Sequence, residues 1–233
     1  MEHSDMDIKT KCFRERLNPP ATCPFPDGKA GLACKKLKLP PSKYTLSELV
    51  DIYLGDWRCH LCVWLTGFST LDFHEAVKYA ADGRESDGKL KICHFKRIKI
   101  EDLADGRIAL LKQQRKLSRC KSFDELYEKI ENLIESVPVS GLGPMYVYDV
   151  ALRIGASKGL LPDRVYLQCG AREGARELGL AHTSQTIALA DLPLELRRRL
   201  TAYEIEDFLC IFKKHLKKKP LQQINEAYEY LSS

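Results

Sequence analysis

The residues of this chain that could do chemistry are a glycine-containing turn and an aspartate that follows it. Residues 138–144, with the sequence PVSGLGP, separate two segments with helical periodicity. The backbone N–H groups of Gly141 and Gly143 would lie at the positive end of the second helix, where they can hold a phosphate oxygen. We expect the two glycines to permit a tight turn because they tolerate positive φ. An ordinary helix–helix turn is the alternative interpretation.

Two amphipathic helices must position this turn. Ser122 and Glu125 form a predicted capping box at the start of the first helix, which should run up to Pro138. In the second helix, Pro144 occupies a place where a first-turn proline is tolerated. The apolar face of that helix consists of Tyr146, Val147, Val150, Ala151 and Ile154.

The sequence from Gly141 onward, GLGPMYVYDVALRIGASKGLLPDRVYLQCGAREGARELGL, resembles the core of the helix-hairpin-helix DNA glycosylase superfamily. The resemblance covers residues 123 to 216. In that family an aspartate opens a further helix, which ends in an Arg-x-Leu-Gly-Leu-like phrase. Asp163 matches the catalytic aspartate, and residues 176–180 (RELGL) match the phrase. The resemblance implies that Gly141, Leu142, Gly143 and Met145 contact double-stranded DNA.

Two departures from the family pattern restrict the expected chemistry. Met145 occupies the position at which lyase-competent members carry a Schiff-base lysine. No four-cysteine iron–sulfur loop follows Cys210. The resemblance therefore implies a monofunctional glycosylase, which hydrolyses the N-glycosidic bond of a damaged or modified base and lacks that lyase activity and that cluster.

Asp163 has two interpretations. A carboxylate at a helix start is usually an N-cap, because its oxygen accepts a backbone N–H bond from the first turn. Cleavage of an N-glycosidic bond builds positive charge on the sugar, which a fixed carboxylate can stabilise. We expect Asp163 to cap a helix in either case, and its catalytic role rests on the family resemblance.

An excised base must leave the duplex and enter a pocket with aromatic walls and a few polar groups. Trp57, Trp64, His94 and Tyr148 are the candidate pocket residues. Aromatic residues at these spacings are more often part of a hydrophobic core.

The distribution of charge is more informative than its total. The net charge of +5 comes from 37 basic and 32 acidic residues, which alone does not indicate nucleic acid. Residues 107–121 contain six basic residues and no acid, and residues 213–219 contain five lysines. Such clusters are typical of phosphate-binding surfaces. A solvated helix face, or compensation of a helix dipole, is the alternative for each cluster.

The nine cysteines suggest a reducing compartment, and their odd number argues against a complete disulfide framework. Cys12, Cys23 and Cys34 are evenly spaced, and Cys59 and Cys62 form a C-x2-C pair, so a zinc site is possible if the two groups converge. Buried free cysteines are the simpler interpretation. We therefore predict no cofactor, keep zinc as an alternative, and assign no metal ligand.

Length and composition predict a protein with a substantial core. A chain of 233 residues, 44% of them hydrophobic, can form one large domain or two lobes. No apolar run approaches the length of a membrane span, and the first residues do not resemble a secretory signal. We therefore expect a cytoplasmic protein, or one in the nucleoid or nucleus, without a membrane partner or a small-molecule cofactor.

The chain divides into three predicted parts. Residues 1–43 form an extended arm containing Pro, Lys and Cys, residues 44–121 a first helical lobe, and residues 122–233 a helix-hairpin-helix lobe with C-terminal helices. Helices are predicted over residues 46–54, 71–81 and 99–117, and a strand or an extended segment between 83 and 100 is left open.

In the last part, Gly170 and Gly174 should let another helix approach closely, because they lie on one stripe of their helix beside two alanines. Thr201 and Glu204 should cap a helix, and Pro220 should begin the last one.

The sequence thus predicts an all-α, two-lobed protein that binds DNA through its hairpin and acts as a monofunctional glycosylase with Asp163 at the reaction centre. A non-catalytic helix-hairpin-helix protein that binds DNA or a protein partner is the alternative function. A zinc-stabilised interaction protein unrelated to DNA is the third. A pocket at Asp163, and basic surface on the side of the hairpin, would distinguish the three.

Overall fold

The fold is predominantly helical, with one small sheet, in a computed structural model that describes residues 44–89, 95–139, 141–180 and 184–216. The sheet has two antiparallel strands, β1 (Arg164–Tyr166) and β2 (Thr186–Ala188), which pair Val165 with Ile187. The prediction of a mainly helical protein is therefore confirmed, whereas a strictly all-α fold is wrong because of this sheet.

The chain forms two compact units, each with its own set of packed elements. The central unit contains the described residues between 58 and 162, and the terminal unit contains 44–57 together with those between 163 and 216. These units do not coincide with the predicted parts. The predicted boundary between residues 121 and 122 falls inside the central unit, and the first predicted helix belongs to the terminal unit.

Side-chain caps begin two helices of the central unit. Asp72 accepts the Glu75 N–H at 2.9 Å, and Ser122 accepts the Glu125 N–H at 3.1 Å. The helices are α2 (Arg58–Ser69), α3 (Phe73–Ala81), α4 (Ile100–Lys112), α5 (Gln114–Leu117), α6 (Phe123–Glu135) and α7 (Pro144–Lys158). A short 3-10 turn, Phe95–Arg97, precedes α4.

The central unit is built around α7, which packs against α2, α3 and α6, while α4 packs against α3 and α6. Ten of the eleven residues of α7 from Tyr146 to Ala156 are buried, Asp149 being the exception, so this helix is enclosed on nearly every side. Gly106 of α4 permits the close approach, since a Cβ there would lie 2.8 Å from both a Leu142 methyl group and the Tyr146 hydroxyl.

The terminal unit begins with a helix capped by Thr45, whose N–H donates to the Glu48 carboxylate at 2.6 Å. The elements are α1 (Leu46–Ile52), a π-helical turn (Tyr53–Trp57), β1, α8 (Cys169–Glu177), β2, a 3-10 turn (Leu189–Asp191), α9 (Leu194–Arg197) and α10 (Ala202–Phe212). Its core includes Tyr53, Phe208 and Phe212, whose rings make edge contacts.

Helices α8 and α10 are in the closest contact in the terminal unit, and two glycines of α8 make that contact possible. A Cβ on Gly174 would lie 2.2 Å from the Leu209 carbonyl oxygen, and one on Gly170 would lie 2.5 Å from the Cys210 sulfur. Both positions are buried. The prediction that Gly170 and Gly174 serve helix packing is confirmed.

Several local predictions differ from the structure. The helix predicted over residues 99–117 is interrupted at Gln113, giving α4 and α5. Only half of the predicted capping box at Ser122 is present, because the Glu125 carboxylate accepts the N–H of Lys121 at 2.8 Å. Helix α2 was not predicted. The helices predicted over 46–54 and 71–81 agree closely with α1 and α3.

Asp163 does not open a helix, so the prediction that it is an N-cap is wrong. It lies at a bend immediately before β1, and α8 begins only at Cys169, where Gln168 occupies the cap position. Residues 164–166 form a strand because they pair with β2, about twenty residues further along the chain. The helix does end at the RELGL phrase, where Gly179 adopts a positive φ of 78°.

Some predicted features lie outside the described residues. They are the arm over residues 1–43 with Cys12, Cys23 and Cys34, the candidate pocket residue His94, most of the lysine cluster over residues 213–219, and the helix expected from Pro220. Among the helices that are described, none is long and apolar enough to cross a membrane.

We expect Gly174→Ala to lower the unfolding free energy by about 1–3 kcal/mol, because the new methyl group would meet the backbone of Leu209 and force α8 and α10 apart. Gly170→Ala should cost less, since the atom it meets first is the Cys210 sulfur, which can rotate away. Chemical denaturation monitored by circular dichroism measures both changes.

Arg176→Ala is the matched control, because Arg176 lies on the same helix and is exposed. Equal stability of Gly174→Ala and Arg176→Ala would contradict the close packing of the two helices.

Candidate nucleic-acid interface

The turn between α6 and α7 is fixed by steric contact rather than by positive φ. Gly143 has φ −82° and ψ −173°, and Gly141 is not among the glycines with positive φ. A Cβ on Gly141 would lie 3.0 Å from Asp102 Oδ2 and 3.2 Å from Ile98 Cγ2, whereas one on Gly143 would meet nothing within 4 Å. The expectation that both glycines are needed for a positive φ is therefore wrong. Of the two, only Gly141 is needed as a glycine, because it lets the turn approach Ile98 and Asp102 closely.

Leu142 anchors the turn to the rest of the central unit. Its side chain is only 7% exposed and lies against Gly106. The adjacent Tyr146 is also buried, and its hydroxyl donates to the Ala81 carbonyl at 3.1 Å. Burial raises the pKa of Tyr146 well above its usual range. Of the four residues proposed for DNA contact, Leu142 is thus occupied in packing, while Gly143 is exposed and Met145 is half-buried.

Charges of both signs surround the turn. Arg97 and Lys99 are exposed and flank Ile98, which lies against Gly141. The first turn of α4 faces the same glycine and carries Glu101 and Asp102. The Asp102 carboxylate lies close to the Gly141 backbone. A carboxylate at this position opposes the binding of a phosphate by the N–H groups of the turn.

A larger group of exposed cations in the central unit lies away from the turn. This group consists of five exposed side chains: Lys112, Arg115, Lys116, Arg119 and Lys121. None of the five forms an ion pair within the described part of the chain. We call this set the basic edge. Arg107 is excluded from it, because its guanidinium binds both oxygens of Asp82, at 2.7 and 2.9 Å.

Contacts at the end of α7 fix the position of the basic edge. Lys158, in the last turn of that helix, donates from Nζ to the Ser118 carbonyl at 2.5 Å, and partial burial lowers its pKa. Helix α7 begins at the turn and ends here, so the two ends are separated by about 21 Å at 1.5 Å per residue. The basic edge and the turn are therefore near opposite ends of α7, so these five residues do not form the basic surface beside the hairpin that would distinguish the candidate functions.

Part of the basic edge has a structural role as well. Lys112 is in the last turn of α4, where a cation compensates the negative end of the helix dipole. Arg119 and Lys121 lie outside the helices, in the segment before α6, so this explanation does not apply to them.

Asp163 lies in the terminal unit with its carboxylate exposed to solvent. The side chain is 81% accessible, and its nearest ionic partner is Arg164 Nε at 3.4 Å. Solvent reduces the effect of such a charge on its surroundings. Water would have to be excluded from this carboxylate before it could stabilise a developing cation strongly.

The proposed base-pocket residues that the structure describes belong to both compact units. Trp57 belongs to the core of the terminal unit, where its ring makes an edge contact with Phe212. Trp64 and Tyr148 belong to the central unit, and the Tyr148 ring packs edge-on against Phe123. The described side chains of Trp57 and Tyr148 are thus part of hydrophobic cores.

Arg153 is a polar residue of α7 that the sequence analysis did not identify. It is completely buried, and its guanidinium stacks on the Trp64 ring with 3.8 Å between the carbon Cζ and the ring centroid. One nitrogen donates to the Asp149 carbonyl at 2.7 Å, whereas Nε and Nη2 have no hydrogen-bond partner within the described chain. Burial lowers the pKa of Arg153 to about 10. The sequence signal for this residue was a pair of charged residues, Asp149 and Arg153, spaced four apart inside an otherwise apolar helix.

No group of three or more His, Cys, Asp or Glu side chains converges as a set of metal ligands in the ranges that the structure describes. Cys62 is buried there as a thiol. The zinc alternative depends on cysteines of the arm, which those ranges do not include.

Comparison with known proteins gives no relative for this chain: no protein-family model, no curated protein and no solved structure matches it.

Proposed function

We propose that this protein binds double-stranded DNA through the basic edge of its central unit. The observation that supports the proposal is a set of five exposed cations, within ten consecutive residues, to which no described carboxylate is paired. We further propose that α6, the turn and α7 are a helix-hairpin-helix motif, that the two compact units are the lobes of the protein, and that the hairpin positions the basic edge rather than holding a phosphate itself.

The chemistry of the basic edge fits a phosphate backbone. Each lysine or arginine that neutralises a phosphate releases condensed counterions, which makes the binding free energy favourable and dependent on salt. Arg115 and Arg119 can also form paired hydrogen bonds to phosphate oxygens. Such contacts do not distinguish one base sequence from another. Binding should therefore be general for duplexes.

The double variant Arg115→Glu/Arg119→Glu should bind a duplex at least tenfold more weakly at about 0.1 M salt than the unaltered protein. Its plot of log affinity against log salt should also be less steep by about two, because two phosphate contacts are lost. Fluorescence anisotropy with a labelled duplex measures both quantities.

Lys78→Glu/Lys89→Glu is the charge-matched control, since both lysines are exposed and lie outside the basic edge. Gly143→Glu is a second comparison, because it adds a negative charge at the turn where a Cβ meets no neighbour. Loss of binding with Gly143→Glu, combined with normal binding by the arginine double variant, would place the phosphate at the turn and refute the proposal.

A monofunctional DNA glycosylase is the second candidate. The order of helices supports it: α6, the turn and α7 are followed by α8, which ends at the RELGL phrase, and then by α9 and α10. In this candidate Asp163 stabilises the developing sugar cation, and bound DNA excludes water from its exposed carboxylate. The absence of a lysine at position 145 would leave abasic sites intact.

Asp163→Asn should preserve stability, because the residue is exposed and begins no helix. If the protein is a glycosylase, the variant should bind DNA normally but release base at least about a hundredfold more slowly. Mass spectrometry of bases released from genomic DNAs with different modifications measures this. Release of no base from any DNA by the unaltered protein would refute the activity, and full activity of the variant would refute the role of Asp163.

A further inference from the structure

Two cysteines and an ion pair lie where α8 and α10 are closest in the terminal unit. Cys169 and Glu173 lie one turn apart on α8, and Cys210 and Lys213 lie one turn apart at the end of α10. Lys213 Nζ donates to Glu173 Oε2 at 2.5 Å, which joins the two pairs. Neither the basic edge nor Asp163 involves these residues.

The glycines of α8 bring the two thiols to neighbouring backbone positions. The Cys210 sulfur lies against the Gly170 backbone, 2.5 Å from where a Cβ would be. Cys169 is the next residue, and consecutive Cα atoms are about 3.8 Å apart. The Cys169 Cα is therefore within about 8 Å of the Cys210 sulfur, and a bond between the two sulfurs would require a movement of the backbone at the start of α8.

Cys169 is accessible and has an unusual backbone conformation. Its thiol is exposed, and its φ of +25° makes it the one non-glycine residue with positive φ in the described ranges. Positive φ is unfavourable for residues other than glycine, so the backbone of Cys169 is strained. Cys169 is the first residue of its helix, so its N–H group has no hydrogen bond within the helix that a movement would break.

We propose that Cys169 and Cys210 are a redox-sensitive pair that forms a disulfide between α8 and α10 when a peroxide is present. The thiolate of Cys169 attacks one peroxide oxygen, breaks the O–O bond and becomes a sulfenic acid, with release of water. The Cys210 thiolate then attacks the Cys169 sulfur, and the sulfenic oxygen leaves as a second water. Two thiols and one hydrogen peroxide thus give one disulfide and two waters.

Lys213 joins the two helices beside the cysteines. Its pKa is raised by the hydrogen bond to Glu173 and, further, by attraction to Glu173, Cys210 and Cys169. Its contact with Glu173 ties the end of α10 to the first turns of α8, beside both cysteines. Lys213→Met removes this contact, so it should change the rate of oxidation without altering which cysteines become linked.

The test is to treat the full chain with hydrogen peroxide under native conditions, quench with an alkylating agent, digest, and map the peptides by mass spectrometry with and without reductant. We expect a reductant-sensitive peptide pair that joins Cys169 to Cys210 and is lighter by two hydrogens than the sum of the separate peptides. Cys169→Ser and Cys210→Ser should each abolish it. The buried thiols of Cys62 and Cys120 are internal controls and should stay alkylatable after unfolding.

Each other outcome would overturn the proposal. One is oxidation of Cys169 to sulfinic or sulfonic acid without the linked peptide, which would show that Cys210 cannot reach it. Another is preferential linkage of either cysteine to a cysteine of the arm. The proposed disulfide does not depend on DNA binding, because the basic edge belongs to the central unit and the two cysteines to the terminal unit.

Discussion

Enclosure of α7 is the constraint on which the central unit depends. Because α2, α3 and α6 surround this helix, nearly every one of its side chains must be apolar or small, or must find a partner inside the unit. Arg153 meets this requirement only in part, since its guanidinium stacks on Trp64 and one nitrogen bonds to the Asp149 carbonyl while two nitrogens have no partner in the described chain. On α4, Gly106 has no side chain and so leaves room for Leu142 and Tyr146. The turn is consequently held by packing on α4.

The direction of α7 also separates the turn from the basic edge. One end of the helix meets the first turn of α4, which carries Glu101 and Asp102, and the other meets the segment that carries the basic edge. The Asp102 carboxylate beside Gly141 opposes an anion at the turn, whereas the exposed cations of the basic edge have no paired carboxylate in the described chain. The proposed DNA surface therefore differs from the one that the family resemblance implied.

In the terminal unit, as in the central one, glycines let two elements pack closely, and here the packing brings a cysteine next to a second helix. Gly170 and Gly174 let α10 contact the backbone of α8, and the approach places Cys210 beside the start of α8. The packing was predictable from glycines spaced four apart beside alanines. The proximity of Cys169, Cys210 and Lys213 was not, because the two helices are far apart in the sequence and only their packing brings these residues together.

The sequence by itself determined the helices whose periodicity and caps are local, such as α1, α3, α6 and α7, because helix bonds and N-caps join residues at most four apart. It also determined the run of basic residues, free of acids, from which the basic edge is formed. Tertiary structure decided what depends on distant partners: the β1–β2 pairing that replaced the expected helix at Asp163, the burial of Arg153, and the placement of the basic edge away from the turn. The physical reason is that strand pairing, burial and the orientation of charges are set by contacts between segments remote in sequence, which local spacing does not encode.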